Sequence, residues 1–99
     1  MVKNLNVTIG SGITRLISAG SSIRCNWVTF YNRDAHDMAV GGPDVTVGSH
    51  GLGIPLPVSG SNYQNRSYIG QTNLGYWYVA GTQNDILSIT YDDGVDNLS

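Results

Sequence analysis

Two histidines and the aspartates near them are the residues best suited to acid–base or metal chemistry. His36 and His50 both fall in segments that the sequence predicts as loops, near Asp34, Asp37 and Asp44. An imidazole beside a carboxylate could form a hydrolytic dyad, and two imidazoles could bind a metal ion. The spacing matches neither an HExxH zinc motif nor a GxSxG nucleophile elbow. We therefore expect solvated loop side chains, with no catalytic residue, no metal site, no cofactor and no enzymatic activity.

The single cysteine, Cys25, lies in the most apolar predicted strand, close to Trp27. A cysteine in apolar surroundings keeps its proton and packs as a small hydrophobic residue. We therefore expect Cys25 in the core rather than as a nucleophile. A lone cysteine also excludes a disulfide within the chain.

Two short segments could in principle hold an ion. Carboxylates at Asp92, Asp93 and Asp96 flank a glycine, but their spacing differs from the calcium loop and no Glu completes the set. The glycines at residues 10–12 lack the lysine and helix that a phosphate loop requires. We expect a solvated acidic tail over residues 92–99 and an ordinary turn after the first strand.

A group of aromatic residues in the second half of the chain is more informative. Alternation over residues 76–80 predicts a strand with Tyr76 and Tyr78 on one face and Trp77 on the other. Exposed tyrosines could stack on sugar rings or contact another protein. In the plainer interpretation Trp77 fills the core and the tyrosines cover a sheet face. The candidate interaction surface consists of Tyr63, Tyr68, Tyr76 and Tyr78.

The composition favours strands over helices. The 99 residues include no Glu, one Lys and four Ala, against nine Asn, ten Ser and thirteen Gly, so strong helix formers are scarce. Val, Ile and Thr, which favour strands, contribute 24 residues. Helical bundles and coiled coils are therefore excluded, and a single all-β domain is predicted.

Alternation and turn residues divide the chain into seven to eight short predicted strands, the strongest over residues 23–31. This spacing is typical of an antiparallel β-sandwich or a jelly-roll-like small barrel. Residues 1–12 are predicted as an N-terminal strand or arm that could pair with a neighbour's sheet. Residues 13–91 then form the β-sandwich domain, and residues 92–99 form the acidic tail.

Glycine and proline predict several local features. A tight turn at residues 41–44 leads into a short strand at residues 45–47, and Pro55 indicates an edge strand. The polar residues 59–67 are predicted as a mobile loop. A last hairpin over residues 76–91 closes the predicted domain.

Charge and hydropathy bear on the possible partners. The net charge of −2 argues against a protein held on nucleic acid by phosphate contacts. The sequence contains no apolar run of about 18 residues and no basic-then-apolar leader, so we expect neither a membrane partner nor export.

Several motifs follow one another in an order typical of one family. They are Arg-x-x-Trp-Val-x-Phe-Tyr-Asn at residues 24–32, Met-Ala-Val-Gly-Gly at 38–42, Gly-Leu at 51–52, Ile-Pro-Leu-Pro at 54–57 and Tyr-Val-Ala-Gly-Thr at 78–82. In this succession, over residues 13–91, the chain resembles the small β-sandwich structural proteins of tailed bacteriophages.

The resemblance implies a non-enzymatic virion structural protein, foremost a capsid decoration or cement protein. Its expected partners are the major capsid protein, other virion proteins and further copies of itself in a homo-oligomer. It would be made in the host cytoplasm and located in the virion. One alternative is a phage fibre or tail component. The alternative from another class is a carbohydrate-binding β-sandwich module that uses the four tyrosines.

Overall fold

The fold consists of short strands and one 3₁₀ turn. A computed structural model describes residues 1–48, 50–58 and 66–95 of the chain. Within these residues the strands are β1 (Val2–Thr8), β2 (Thr14–Arg15), β3 (Arg24–Cys25), β4 (Trp27–Asn32), β5 (Met38–Gly41), β6 (Ile54–Leu56), β7 (Arg66–Ile69), β8 (Thr72–Asn73), β9 (Tyr78–Ala80) and β10 (Ile86–Asp92), with the 3₁₀ turn at Leu74–Tyr76.

Two four-stranded antiparallel sheets form the sandwich. The first sheet has the order β1-β10-β4-β7, and the second has the order β2-β9-β5-β6. A separate two-stranded ribbon pairs β3 with β8. The prediction of an all-β antiparallel sandwich is confirmed. The described residues form ten strands rather than seven to eight, partly because the ladders at β2, β3 and β8 are only two residues long.

The core lies between the two sheets. Alternation along β4 buries Val28 and Phe30, and alternation along β10 buries Leu87 and Ile89. These side chains join a cluster with buried residues of the second sheet, namely Met38, Val40, Leu56 and Val79. Burial of apolar area on one face of each sheet is the main term holding the sheets together.

The N-terminal segment belongs to the chain's own first sheet. β1 pairs with β10 from Val2 opposite Asp92 to Thr8 opposite Ile86. Val7 and Ile9 are buried in the core, so residues 1–12 are part of the sandwich rather than a free arm. Deleting them would remove core side chains. β1 is nevertheless an outer strand of its sheet, with one edge not paired by described residues.

Two local predictions from glycine and proline are confirmed. The N–H of Val45 donates to the carbonyl of Gly42 at 3.1 Å, which closes a tight turn. β6 contains Pro55 and is the outer strand of the second sheet. Proline has no N–H to donate to a neighbouring strand, so it is tolerated in an outer strand but not in an inner one that pairs on both sides.

The predicted strand at residues 45–47 is absent. Thr46 instead closes a wide loop, because its N–H donates to the carbonyl of Leu52 at 3.0 Å and its Oγ1 accepts from the N–H of Leu52 at 2.9 Å. Val45 is buried on the far side of this loop, against Ala39 and Ala80. Val45 is therefore apolar because it packs in this small cluster, and not because it belongs to a strand.

The predicted closing hairpin is also wrong. β9 pairs with β2 and β5 in the second sheet, whereas β10 pairs with β1 and β4 in the first. The connection at residues 81–85 therefore crosses from one sheet to the other. Consecutive strands that belong to different layers are common in sandwiches, because each crossing covers one end of the core.

The predicted strand at residues 23–31 divides at Asn26. Its first part, β3, pairs with β8, while its second part, β4, continues in the first sheet. Asn26 marks the change, since its N–H donates to the carbonyl of Asp92 at 2.8 Å. Of the predicted loop at residues 59–67, Arg66 and Ser67 lie in β7, and residues 59–65 lie outside the described residues.

No helix in the described part of the chain has the length and apolar character needed to cross a membrane. The single helical element there is the three-residue 3₁₀ turn.

Candidate interaction surface

The three described tyrosines of the candidate surface lie in different parts of the fold. Tyr68 is on β7 of the first sheet, Tyr78 is on β9 of the second, and Tyr76 belongs to the 3₁₀ turn. Tyr63 lies outside the described residues. The prediction that Tyr76 and Tyr78 share a strand face is wrong, because the side chain of Asn73 caps the 3₁₀ turn and β9 begins only at Tyr78.

These three tyrosines also differ in exposure. Tyr68 is 65% exposed and Tyr76 is 72% exposed, whereas Tyr78 is half-buried. The ring of Tyr78 packs against the small cluster around Ala39, and the guanidinium of Arg15 lies 5.0 Å from its centroid. Of the three described tyrosines, Tyr68 and Tyr76 are therefore the two most accessible to a partner, and they lie on different elements.

The outer face of the first sheet carries a central group of short uncharged side chains joined by hydrogen bonds. We use this name for the outward-pointing residues of β1, β10, β4 and β7. The Oγ1 of Thr90 donates to Oδ1 of Asn4 at 2.8 Å, and the Oγ of Ser88 donates to Oδ1 of Asn6 at 3.1 Å. One row crosses all four strands: Asn4, Thr90, Thr29 and Tyr68. The two hydrogen bonds join β1 to β10 and order this part of the face in the absence of any partner.

One side of the outer face is aromatic. The rings of Trp27 and Tyr68 stack with their centroids 6.2 Å apart and their planes at 23°. Just after the end of β4, the guanidinium of Arg33 lies 5.4 Å from the ring centroid of Tyr31. The alternation that buries Val28 turns Trp27 outward, a sequence signal that the candidate list of tyrosines did not use.

Among the described residues, His36 pairs with Asp85 and with none of the aspartates near it in sequence. His36 Nδ1 lies 2.8 Å from Oδ2 of Asp85, at the protein surface. Carboxylate oxygens of Asp34 and Asp37 instead accept backbone N–H groups at 2.6 and 2.8 Å. His50 is exposed in the loop before β6. The aspartates near His36 in sequence therefore fix loops, and its partner comes from a distant segment.

Cys25 lies in the core, as predicted. Its Sγ donates to the carbonyl of Ile23 at 3.6 Å. Burial raises the pKa of the Cys25 thiol, and the nearby carboxylates of Asp93 and Asp92 raise it further. The thiol therefore stays protonated at neutral pH, which disfavours a nucleophilic role.

Asp92, the last residue of β10, and Asp93 directly after it are paired with cations of the chain. The amine of Met1 lies 2.8 Å from Asp92 and 3.1 Å from Asp93, and Lys3 Nζ lies 3.0 Å from Asp93. A hydrogen bond from the N–H of Val95, together with Lys3 and the amine, lowers the pKa of Asp93. The described residues contain no group of three or more His, Cys, Asp or Glu placed to hold a metal ion.

Comparison of the chain with family models, with curated proteins and with solved structures gives no match.

Proposed function

We propose that the chain is a non-enzymatic structural protein of a tailed-bacteriophage particle. In this role it decorates or cements the shell by binding the major capsid protein. The succession of motifs over residues 13–91 supports the class of protein. The outer face of the first sheet supports a binding role, and it is the observation on which the proposed contact depends.

The outer face suits a lasting protein contact because few of its side chains would lose freedom on binding. Ordering a long flexible side chain at an interface opposes binding by about 0.5–1.5 kcal/mol. Here the central side chains are Asn, Ser and Thr, already held by hydrogen bonds of 2.8 and 3.1 Å. The one lysine of the chain, Lys3, is engaged with Asp93.

The stacked pair Trp27 and Tyr68 would supply the anchor of this contact. Tyrosine and tryptophan are enriched among the few interface residues that carry most of the binding energy. Trp27 stacks against the ring of Tyr68, so Tyr68 can enter a pocket of the partner with little loss of side-chain freedom. Tyr68 is therefore the residue whose truncation should weaken shell binding most.

Many copies on a symmetric shell would strengthen a modest contact. Linked contacts act at a high effective concentration, so avidity exceeds the affinity of one copy. β1 and β7 are the outer strands of the first sheet, and an unpaired strand edge can accept a strand from a neighbour. A homo-oligomer on the virion is part of the proposal.

Quantitative mass spectrometry of purified particles from the source strain tests the location. We expect peptides of this chain in amounts comparable to those of the major shell protein. A few copies per particle would replace the shell role with a fibre or tail role. Absence from the particles would overturn the virion assignment altogether.

A binding measurement on shells stripped of this protein tests the contact itself. We expect Tyr68→Ala to weaken binding of the purified protein at least about tenfold, as for an anchor residue. Leu52→Ala is the matched control, since Leu52 is 54% exposed but lies on the loop before β6. If both variants bind alike, the outer face is not the contact.

A further inference from the structure

A groove beside the 3₁₀ turn combines an exposed aromatic ring with polar side chains. Its volume is about 440 Å³, within the range of about 300–1,000 Å³ typical of small-ligand sites. The residues that matter for its chemistry are Arg24, Asn26, Gln71, Thr72, Tyr76 and Asp93. It lies apart from the row of Asn4, Thr90, Thr29 and Tyr68, none of which lines it.

The backbone that presents the ring of Tyr76 is firmly held. Oδ1 of Asn73 accepts the N–H groups of Gly75 at 2.8 Å and Ile23 at 3.1 Å, which ties the 3₁₀ turn to the segment before β3. Gly75 fits closely there, because a Cβ at this position would lie 2.7 Å from the carbonyl oxygen of Ser21. Tyr76 is thus an exposed ring on a turn that hydrogen bonds and close packing hold in place.

The residue after Tyr76 is fixed as well. The indole Nε1 of Trp77 donates to Oγ1 of Thr72 at 2.8 Å, and its ring lies 5.1 Å from that of Phe30 in the core. Fixed backbone on both sides means that a ligand stacking on Tyr76 would not have to order the chain first.

The polar side chains of the groove fall into two groups. Asn26 and Asp93 form hydrogen bonds or ion pairs with other residues of the chain, and Oγ1 of Thr72 accepts a hydrogen bond from the indole N–H of Trp77. The exposed side chains of Arg24 and Gln71, in contrast, contact no hydrogen-bond or ion-pair partner among the described residues. In this groove, therefore, the side chains of Arg24 and Gln71 remain available to hydrogen-bond a ligand, while the other polar side chains are bonded within the chain.

The charges in this region leave one cation unmatched. Asp92 and Asp93 are paired with the amine of Met1 and with Lys3. The guanidinium of Arg24 has no carboxylate partner in the described part of the chain. A planar guanidinium binds a carboxylate through two parallel hydrogen bonds.

The geometry points to a binding site for a saccharide that carries a carboxylate. A pyranose ring would stack on Tyr76, its hydroxyls would exchange hydrogen bonds with the amide of Gln71, and its carboxylate would pair with Arg24. One exposed ring bordered by polar groups suits a sugar, whose faces are apolar and whose rim is polar. The groove includes neither Trp27 nor Tyr68, the pair on which the proposed shell contact depends.

Titrations by heteronuclear NMR with matched oligosaccharides test the site. The acidic probes are tetragalacturonate and β-1,4-linked tetraglucuronate. The neutral probe is cellotetraose, which matches the glucuronate oligomer, and each probe is added to the full chain. We expect at least one acidic probe to shift amide resonances of residues 71–76 and 24–26. We also expect it to bind about tenfold more tightly than cellotetraose, the effect of one added ion pair.

Four variants separate stacking, charge and unfolding. Tyr76→Ala should weaken binding about tenfold or more, while Tyr76→Phe should retain it, because stacking needs the ring and not the hydroxyl. Arg24→Gln should remove the preference for the acidic probe over cellotetraose. Tyr68→Ala is the control, since Tyr68 is also exposed but does not line the groove. Thermal unfolding of each variant verifies that it is folded.

Three outcomes would overturn the assignment. They are no binding of either acidic probe, resonance shifts centred away from residues 71–76, and equal loss of binding in Tyr68→Ala and Tyr76→Ala. Binding that survives Arg24→Gln with its acidic preference intact would overturn the role of the carboxylate. Shell binding by Tyr76→Ala should be normal, so failure here is distinguishable from failure of the virion role.

Discussion

The side-chain amide of Asn32, the last residue of β4, donates a hydrogen bond of 3.0 Å to the main-chain carbonyl of Leu56 on β6. The same nitrogen lies 2.8 Å from the carbonyl of His36 and 3.1 Å from that of Pro57, and Oδ1 accepts the N–H of Asp34 at 2.8 Å. Asn32 has no exposed surface. One buried amide therefore joins the first sheet to the outer strand of the second.

Removing this amide should destabilise the fold substantially. We expect Asn32→Ala to lower the free energy of unfolding by about 2–4 kcal/mol, because it opens a cavity and leaves buried backbone groups without partners. Urea unfolding measures the change. Asn6→Ala is the control, since Asn6 is exposed, and it should lose no more than about 0.5 kcal/mol. Similar losses for both variants would contradict a special role for Asn32.

Gly53 should tolerate no side chain. Its φ is +104°, and a Cβ would lie 2.7 Å from the carbonyl oxygen of Val40 and 2.8 Å from Cγ2 of Val45. We expect Gly53→Ala to cost about 2 kcal/mol or more from strain and steric overlap. Gly12→Ala provides the comparison, because a Cβ at Gly12 meets nothing within 4 Å. Chemical denaturation that ranks the two variants equally would disprove the steric explanation.

The ion pair of Lys3 and Asp93 should make stability depend on acidic pH. The pKa of Asp93 is lowered in the folded chain from an ordinary value of 3.8, by the N–H of Val95 and then by Lys3. Because the folded-state pKa is the lower one, this stabilisation is present above the unfolded pKa. It is lost as the pH falls below about 4 toward the folded-state value.

Thermal unfolding between pH 2 and pH 7 tests this dependence. As the pH falls, the melting temperature of the Asp93→Asn variant should decrease less than that of the wild type, because the variant has no carboxylate to protonate at this position. Asp44→Asn, in the exposed turn after β5, should follow the wild-type curve. If the melting temperature of Asp93→Asn changes with pH as steeply as that of the wild type, other groups control the acid transition.

The thiol of Cys25 should react slowly while the chain is folded. Its side chain is buried in the core cluster, and burial raises its pKa, so both access and thiolate fraction are low. We expect a disulfide reagent to modify the native protein more than about tenfold more slowly than the chain in denaturant. Equal rates in both states would mean that the thiol is accessible in the folded protein.

Local patterns in the sequence predicted which faces and edges the strands would have. Apolar and polar residues alternate over residues 4–9, which is typical of a half-buried strand, and Val7 and Ile9 are buried. Pro55 predicted an outer strand, and Gly42 with its neighbours predicted a tight turn. Each of these features depends on the conformational preference or polarity of a few adjacent residues, and for that reason the sequence reveals it.

The exposed aromatic sites could be predicted only in part. The sequence indicates Tyr68 and Tyr76 as candidate contact residues. It does not show that they lie on different elements of the fold, or that the ring of Tyr68 stacks on Trp27. The register of β7 against β4 decides that pairing. Asn32 lies just beyond the predicted strand at residues 23–31, yet it continues the inward alternation of Val28 and Phe30 and carries the amide that joins the sheets.

The sequence by itself determined an all-β chain, the buried faces of its main strands and the positions of its sharpest turns. Tertiary structure alone decided that β9 and β10 lie in different sheets, that residues 45–47 form no ladder and that His36 meets Asp85. Strand pairing is decided between segments far apart in the chain. The same alternating pattern fits either sheet, and only joint closure of the whole core selects one partner.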